Sequence, residues 1–292
     1  MTLARCCARL VAPPVWRGSL RYAVPVRSTQ FGGVLPGLPG GLSRMEVHIL
    51  TIFPEMFTSP LQASILQRAQ ERCLLQIQVH NLRDFTTDRH HVTDDYPYGG
   101  GAGMIMKPEP IVRGIQEIQA RFGPAYVILL SPQGTVLTQD LAKTLAHRER
   151  LLLICGRYGG VDARVQAYVQ AEISIGDYVL TGGELPAMVL LDVVGRQLPG
   201  VLGDYQSVAE DSLFHDLLQG PQYTRPVEFA GVRVPAILLS GNHAAITQWR
   251  RRQALRTTLQ RRPDLLQRAA LSPQDQAILL ELQHAEAEPH AQ

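Results

Sequence analysis

Cysteine, charge and long apolar runs are all scarce in this chain of 292 residues, and each scarcity removes a class of protein. The cysteines are Cys6, Cys7, Cys73 and Cys155, with no C-x-x-C pair and no zinc-ligand spacing beyond the first 44 residues. That argues against a disulfide framework and a structural zinc site. Cys73 and Cys155 lie in apolar, strand-like runs and are expected to be buried free thiols in a reducing cytoplasm. No uninterrupted apolar run approaches the roughly 20 residues of a membrane-spanning helix. Charged residues make up 18% and apolar ones 45%, the balance of a soluble globular protein with a real core. The common nucleotide and hydrolase signatures are missing as well. There is no G-x-G-x-x-G after the first strand, no G-x-x-x-x-G-K-[ST], no H-E-x-x-H and no G-x-S-x-G.

Acid is absent from one region altogether. Residues 1–44 carry six arginines and no Asp or Glu, which leaves 22 basic against 26 acidic residues in the remainder. The overall charge of +2 is therefore uneven, and any nucleic-acid contact must come from a local patch. An arginine-rich, acid-poor leader reads either as an organellar targeting segment or as translated upstream sequence before a start at Met45. Pro13, Pro14, Pro25, Pro36 and Pro39 interrupt any sustained amphipathic helix there.

From Met45 onward, short apolar runs at 47–53, 75–79, 126–130, 151–155 and 172–175 read as buried strands. Helical patterns lie near 59–70, 109–121, 138–147 and 162–168. This alternation predicts an α/β domain with a mainly parallel sheet. A polar segment at 203–211 marks a linker, and the sequence beyond it is expected to be helical and arginine-bearing. No internal repeat is visible.

The densest stretch is 174–188, S-I-G-D-Y-V-L-T-G-G-E-L-P-A-M. Gly176, Gly182 and Gly183 suit a backbone that turns sharply or closes on a ligand. Glu184 and Pro186 suit the first turn of a helix running to about Arg196. The run Gly99–Gly103 reads as a surface loop or as one that approaches a ligand closely. Arg196 alone would be a cation at a helix C-terminus, and Asp211, followed by Ser and an apolar run, a helix N-cap. Arg250, Arg251, Arg252, Arg256, Arg261, Arg262 and Arg268 cluster against the single acid Asp264 in that stretch, as a solvated face or as phosphate contacts.

Several strings, in order, resemble the bacterial tRNA (guanine-N1)-methyltransferases of the SPOUT class. They are L-R-D-F-T-T-D-R-H-H-V-T-D-D (82–95), Y-G-G-G-A-G-M (98–104), L-S-P-Q-G (130–134), C-G-R-Y (155–158), the 174–186 string, P-G-V-L-G (199–203), E-D-S (210–212), Y-T-R-P (223–226) and L-L-S-G-N-H (238–243). M-E-V-H-I-L-T-I-F-P-E-M-F also opens as that family's amino terminus does, favouring a start at Met45.

The resemblance implies a trefoil-knotted α/β domain over 45–202, a linker at 203–210 and a small helical tRNA-binding domain over 211–288. It implies a cytoplasmic homodimer with active sites shared across the interface, acting on the guanosine just 3′ of the anticodon. S-adenosyl-L-methionine is the implied methyl donor, held by Gly156, Tyr158, Ile175, Gly176, Asp177, Tyr178, Val179 and Leu180. Ser131, Pro132, Gln133, Gly182, Gly183 and Pro186 surround it. Asp211 is the implied general base and Arg196 the partner for charge at O6, a division of labour suited to a guanine N1 that carries a proton. Arg89, His90, Gly101 and Gly103 are expected to shape the approach of the anticodon stem-loop, with Arg250, Arg251, Arg252 and Arg256 on its phosphates.

The match breaks at Gly159, where the family normally has glutamate. Asp162 or Asp177 is then a candidate substitute. The magnesium requirement and the metal ligands stay open. A methylase with another target, and a tRNA-binding protein without catalysis, stay as alternatives.

Overall fold

The computed structural model describes residues 44–202 and 211–287. The expectations for the leader and for the linker, Glu210 of E-D-S included, lie outside the described residues. The chain divides into two compact units between Val201 and Leu202.

In chain order the first unit contains β1 (Met45–Thr51), α1 (Ser64–Glu71), β2 (Leu75–Asn81), β3 (Asp94–Asp95), β4 (Ile105–Met106) and α2 (Pro108–Phe122). It continues with β5 (Tyr126–Val136), α3 (Gln139–Ala146), β6 (Arg150–Cys155), β7 (Ala171–Ser174) and α4 (Glu184–Gly195). Five strands form one parallel sheet in the order β2-β1-β6-β5-β7. A parallel sheet is covered on both faces, so its strands read as continuous apolar runs, as Leu151–Cys155 does. Alternate residues serve opposite faces. Val47, Ile49, Ile128, Leu130, Leu151 and Leu153 pack with residues of α1, α3 and α4, whereas Leu50, Val127, Leu129, Leu152 and Ile154 pack against α2.

Local chemistry sets the helix ends. α2 starts on Pro108 and stops at Gly123, whose φ of 97° an L side chain resists. Thr138 caps α3, its hydroxyl accepting the Leu141 N–H. The pattern at 59–70 splits into a 3-10 turn at Pro60–Gln62 and α1, and 162–168 is a 3-10 segment capped by Asp162.

Two expectations for this unit need correction. β5 runs past Leu130 to Val136, because after an irregularity between Leu130 and Thr135 it pairs with β7 again through Thr135 and Val136. Gly134 allows this, since a Cβ there would lie 2.4 Å from the backbone of Glu172 and Ile173. Of the two thiols Cys155 is buried, but Cys73 is exposed, in a left-handed conformation (φ 59°) in the turn from α1 to β2.

The second unit holds a short hairpin, β8 (Glu228–Phe229) and β9 (Val232–Arg233), then α5 (His243–Arg261), α6 (Pro263–Leu266) and α7 (Pro273–Ala287). Leu217, Leu255, Leu279 and Leu282 form its core. Among its described residues α-helix begins at His243, after a 3-10 turn at Ala236–Leu239. Asp211 is not a helix N-cap, because the turn after it places Leu213 (φ 70°) and Asp216 (φ 56°) in the left-handed region, which no helix accommodates.

Candidate active site and RNA-facing surface

The carboxyl ends of β5, β6 and β7 converge, the usual place for a ligand on an open parallel sheet. Ser131, Pro132 and Gln133 lie in the irregular stretch of β5, where the Ser131 hydroxyl accepts the Gln133 N–H. Gly156 and Tyr158 follow β6, and Ile175–Leu180 follow β7. The Leu137 N–H donates to the Ser174 carbonyl and the Gly183 N–H to that of Gly156 (2.8 Å each), drawing the three ends together. Arg157 and Gly182 form an antiparallel bridge across the same gap.

The glycines there are needed for two different reasons. Gly176 has φ 147°, a conformation for which an L side chain is poorly suited. Gly183 is a matter of contact, since a Cβ would meet the Cys155 Cα at 2.7 Å. The loop is tied internally: the Tyr178 N–H donates to the Gly176 carbonyl, and the Tyr178 hydroxyl to that of Ile175. Val179 of the loop is 85% exposed and Tyr178 54%, and Tyr158 on the turn after β6 is 53% exposed. Asp177 is exposed beside them, and Pro186 is buried in the first turn of α4.

A polar network that sequence reasoning missed lies at this loop. Glu184 is buried, accepting from the Thr51 hydroxyl (2.8 Å) and from Arg157 Nε (3.0 Å). The Arg157 guanidinium sits over the Phe53 ring, 4.4 Å from its centre, and donates to the Met56 thioether. The only signals were the strings containing Arg157 and Glu184. Nothing in a 27-residue separation announces that the two meet.

The 94–106 segment is an arm closed by antiparallel pairing of β3 with β4. At its glycine-rich end Gly99, Gly100, Gly101 and Gly103 all have φ between 79° and 127°. Added Cβ atoms at Gly99, Gly100 and Gly103 would meet nothing, so conformation, not crowding, calls for glycine there. Tyr98 is fully exposed. The arm is stitched to the turn after β6: Gly159 N–H to the Met104 carbonyl, Met106 N–H to Gly160 and Asp162 N–H to Met106. Arg89 and His90 are exposed in a turn whose carboxylate, Asp88, accepts the His90 and Val92 N–H groups.

At the departure point Gly159 lacks a left-handed φ, and a Cβ would stand 3.1 Å from the Met104 carbonyl oxygen. Asp162 does not supply a free carboxylate in its place. Both its oxygens are held by Arg164, whose hydrogen bonds and charge keep the acid at about 2. No group of three or more His, Cys, Asp or Glu among the described residues forms a metal set.

Arg196 stands at the C-cap of α4, its N–H donating to the carbonyls of Asp192 and Val194. Asp211 is the first described residue after the linker and belongs to the second unit. It lines a cleft of about 220 Å³ within that unit, together with His215, Gln219, Trp249, Arg250 and Arg251. The Trp249 ring centre is 6.4 Å from that of Tyr223.

α5 carries five arginines and no acid of its own. Besides Asp264, acids from outside 249–268 take up part of the cluster, which counting within that stretch did not foresee. Asp275 holds Arg251 through two bonds (2.8 and 2.9 Å), Glu281 holds Arg252, Asp264 holds Arg262 and Asp216 holds Arg268. Asp275 also exchanges bonds with Ser272 at the start of α7, and these contacts keep its carboxyl well below the usual range. Among the described residues Arg256 and Arg261 make no ion pair.

The family described as tRNA (Guanine-1)-methyltransferase TrmD matches residues 45–268. The chain belongs to this family. Relatives include the tRNA (guanine-N(1)-)-methyltransferases of Geotalea uraniireducens, 55% identical over 240 residues, and Pelotomaculum thermopropionicum, 54% identical over 241. Each alignment covers 82% of this chain and 96–97% of the relative. Among solved structures, the tRNA (m1G37) methyltransferase from Aquifex aeolicus aligns with TM-score 0.64 and 37% identity, over 77% of this chain and 96% of its own. The fold is the SPOUT fold of that family, a mainly parallel, knotted α/β sheet. No described helix is long and apolar enough to cross a membrane.

Proposed function

We propose that this member of the family transfers a methyl group from S-adenosyl-L-methionine to N1 of guanosine 37 in tRNA, in the cytoplasm. The observation that carries the reading is the convergence of the β5, β6 and β7 ends under a glycine-bearing loop that exposes Tyr178 and Val179. Gly156, Tyr158, Ser131–Gln133, Ile175–Leu180, Gly182, Gly183 and Pro186 would hold the donor largely through main-chain groups. When bound, it supplies an electrophilic methyl group on a sulfonium.

The chain's own residues have the other half of the task. Neutral guanine carries a proton on N1, so the nitrogen lone pair is available only as that proton leaves. The Asp211 carboxylate accepts it. The electron density left on the ring shifts towards O6, where the Arg196 guanidinium stabilises it. α4 is mostly apolar, and Leu185 and Val189 are exposed at consecutive turns beside the exposed Asp192, which supports a homodimer that brings one protomer's Asp211 to its partner's site. α5 and the glycine arm would receive the anticodon stem-loop. Magnesium is assigned no ligands, since the family glutamate is Gly159 and Asp162 is taken by Arg164.

The test is methyl transfer from labelled donor to unmodified tRNA bearing G37, followed by nucleoside analysis, with and without magnesium. N1-methylguanosine is expected, falling about 10²–10⁴-fold in Asp211→Ala with tRNA binding kept, as for loss of a general base. Gly159 favours a second reading, a tRNA-binding protein without catalysis. Tight tRNA binding with no product would select it and overturn the first.

A further inference from the structure

Arg157 and Glu184 stand on the two chain segments that form the donor loop, the turn after β6 and the start of α4. Removing two charges from water gains little stability over apolar packing, so a pair like this calls for another reason. Its surroundings supply one. Glu184 uses both oxygens, one for the Thr51 hydroxyl and one for Arg157 Nε, and its side chain is 1% exposed. The Thr51 hydroxyl also accepts the Phe53 N–H, so the network is anchored in β1 and the segment that follows it. Gly182 rests directly on the pair: a Cβ there would lie 2.4 Å from Arg157 Nε and 2.5 Å from Glu184 Oε2. The main chains of Arg157 and Gly182 are bridged, and the Arg157 N–H donates to the Met106 thioether of the glycine arm.

We infer that Arg157 is a positioning residue for methyl transfer, acting through its buried ion pair with Glu184 to fix the height and curvature of the donor loop. The inference rests on the proposal that this loop holds the donor. The pair touches no reacting atom. It forms the surface on which the loop lies, and Gly182 is glycine because the loop must pass across that surface.

The full-length chain, Arg157→Lys, Arg157→Met and Glu184→Gln are compared by thermal melting, donor binding by calorimetry and steady-state methyl transfer. Folded variants are expected to lose at least tenfold in donor affinity and to raise the donor KM, with the tRNA KM unchanged. Arg157→Lys keeps the charge without the planar guanidinium and is expected to recover part of the loss seen in Arg157→Met. Wild-type donor affinity in folded Arg157→Met and Glu184→Gln overturns the inference and leaves the pair a structural strut. If the charge variants do not fold, Gly182→Ala carries the test, because it keeps both charges and presses the loop off them. Unchanged donor affinity in that variant also overturns the inference. A wild-type chain that binds donor and methylates tRNA separates these failures from failure of the functional proposal. A wild type that binds no donor sinks both.

Discussion

His48 and His80 show how much a single pair of side chains can set. They stand on neighbouring strands, Nδ1 to Nε2 at 2.9 Å, with the Phe122 ring against His48 and no partner for His48 Nε2 among the described residues. One proton fits between the rings, and a second would place like charges in contact. Burial comes first in lowering both, His48 to about 3 and His80 to about 4, with the other histidine and nearby arginines adding to it at His48. An unfolded histidine titrates near about 6.5. Between those values the unfolded chain binds protons that the folded one refuses, so the stability is complete above about pH 6.5 and is lost as pH falls towards 4. Denaturant titrations should show a loss on the order of 1–3 kcal/mol per pH unit across that window, flattened in His48→Leu. A slope equal in wild type and variant would refute the assignment.

At the scale of elements, α5 divides its arginines by task. Arg251 and Arg252 tie the helix to α7, whereas Arg256 and Arg261 are the ones expected on phosphates. Arg256→Ala and Arg261→Ala should each weaken tRNA binding for all sequences alike and reduce the salt slope by about 0.7–0.9. An unchanged slope in filter-binding titrations would remove them from the footprint. Strands were the most legible elements: Leu151–Cys155 reads as a buried strand, and β6 spans it. The second half of β5 was hidden, because the apolar run stops at Leu130 and the return to β7 depends on a backbone contact at Gly134. The ion pairs of α5 were hidden for a similar reason. Their acids arrive from α7, and only folding brings the two stretches side by side.

For the whole molecule, the family strings supplied the candidate donor site, and physical reading alone would not have proposed a knot, since chains rarely thread their own loops. The order of apolar runs and helical patterns pointed to the α/β alternation, and the arginine cluster to the basic helix. The Arg157–Glu184 pair lay beyond both, because a buried charge pair is recognised by its surroundings and these come from β1, the glycine arm and α4 together. Assembly makes its own prediction. Leu185 and Val189 lie one turn apart on a helix whose opposite side is already in the core. Val189→Lys should therefore leave the fold intact by circular dichroism, shift sedimentation to the monomer and abolish methyl transfer. A dimer in that variant would exclude this face of α4 from the interface.

Trp249 gives the second unit an optical signature of its own. The chain has two tryptophans, and the other, Trp16, lies before Met45. With Trp16 replaced by phenylalanine, indole emission comes from one place, the wall of the cleft shared with Asp211 and Arg250. Light absorbed at the red edge then reports on the arginine-bearing helix alone, and the parallel sheet stays dark.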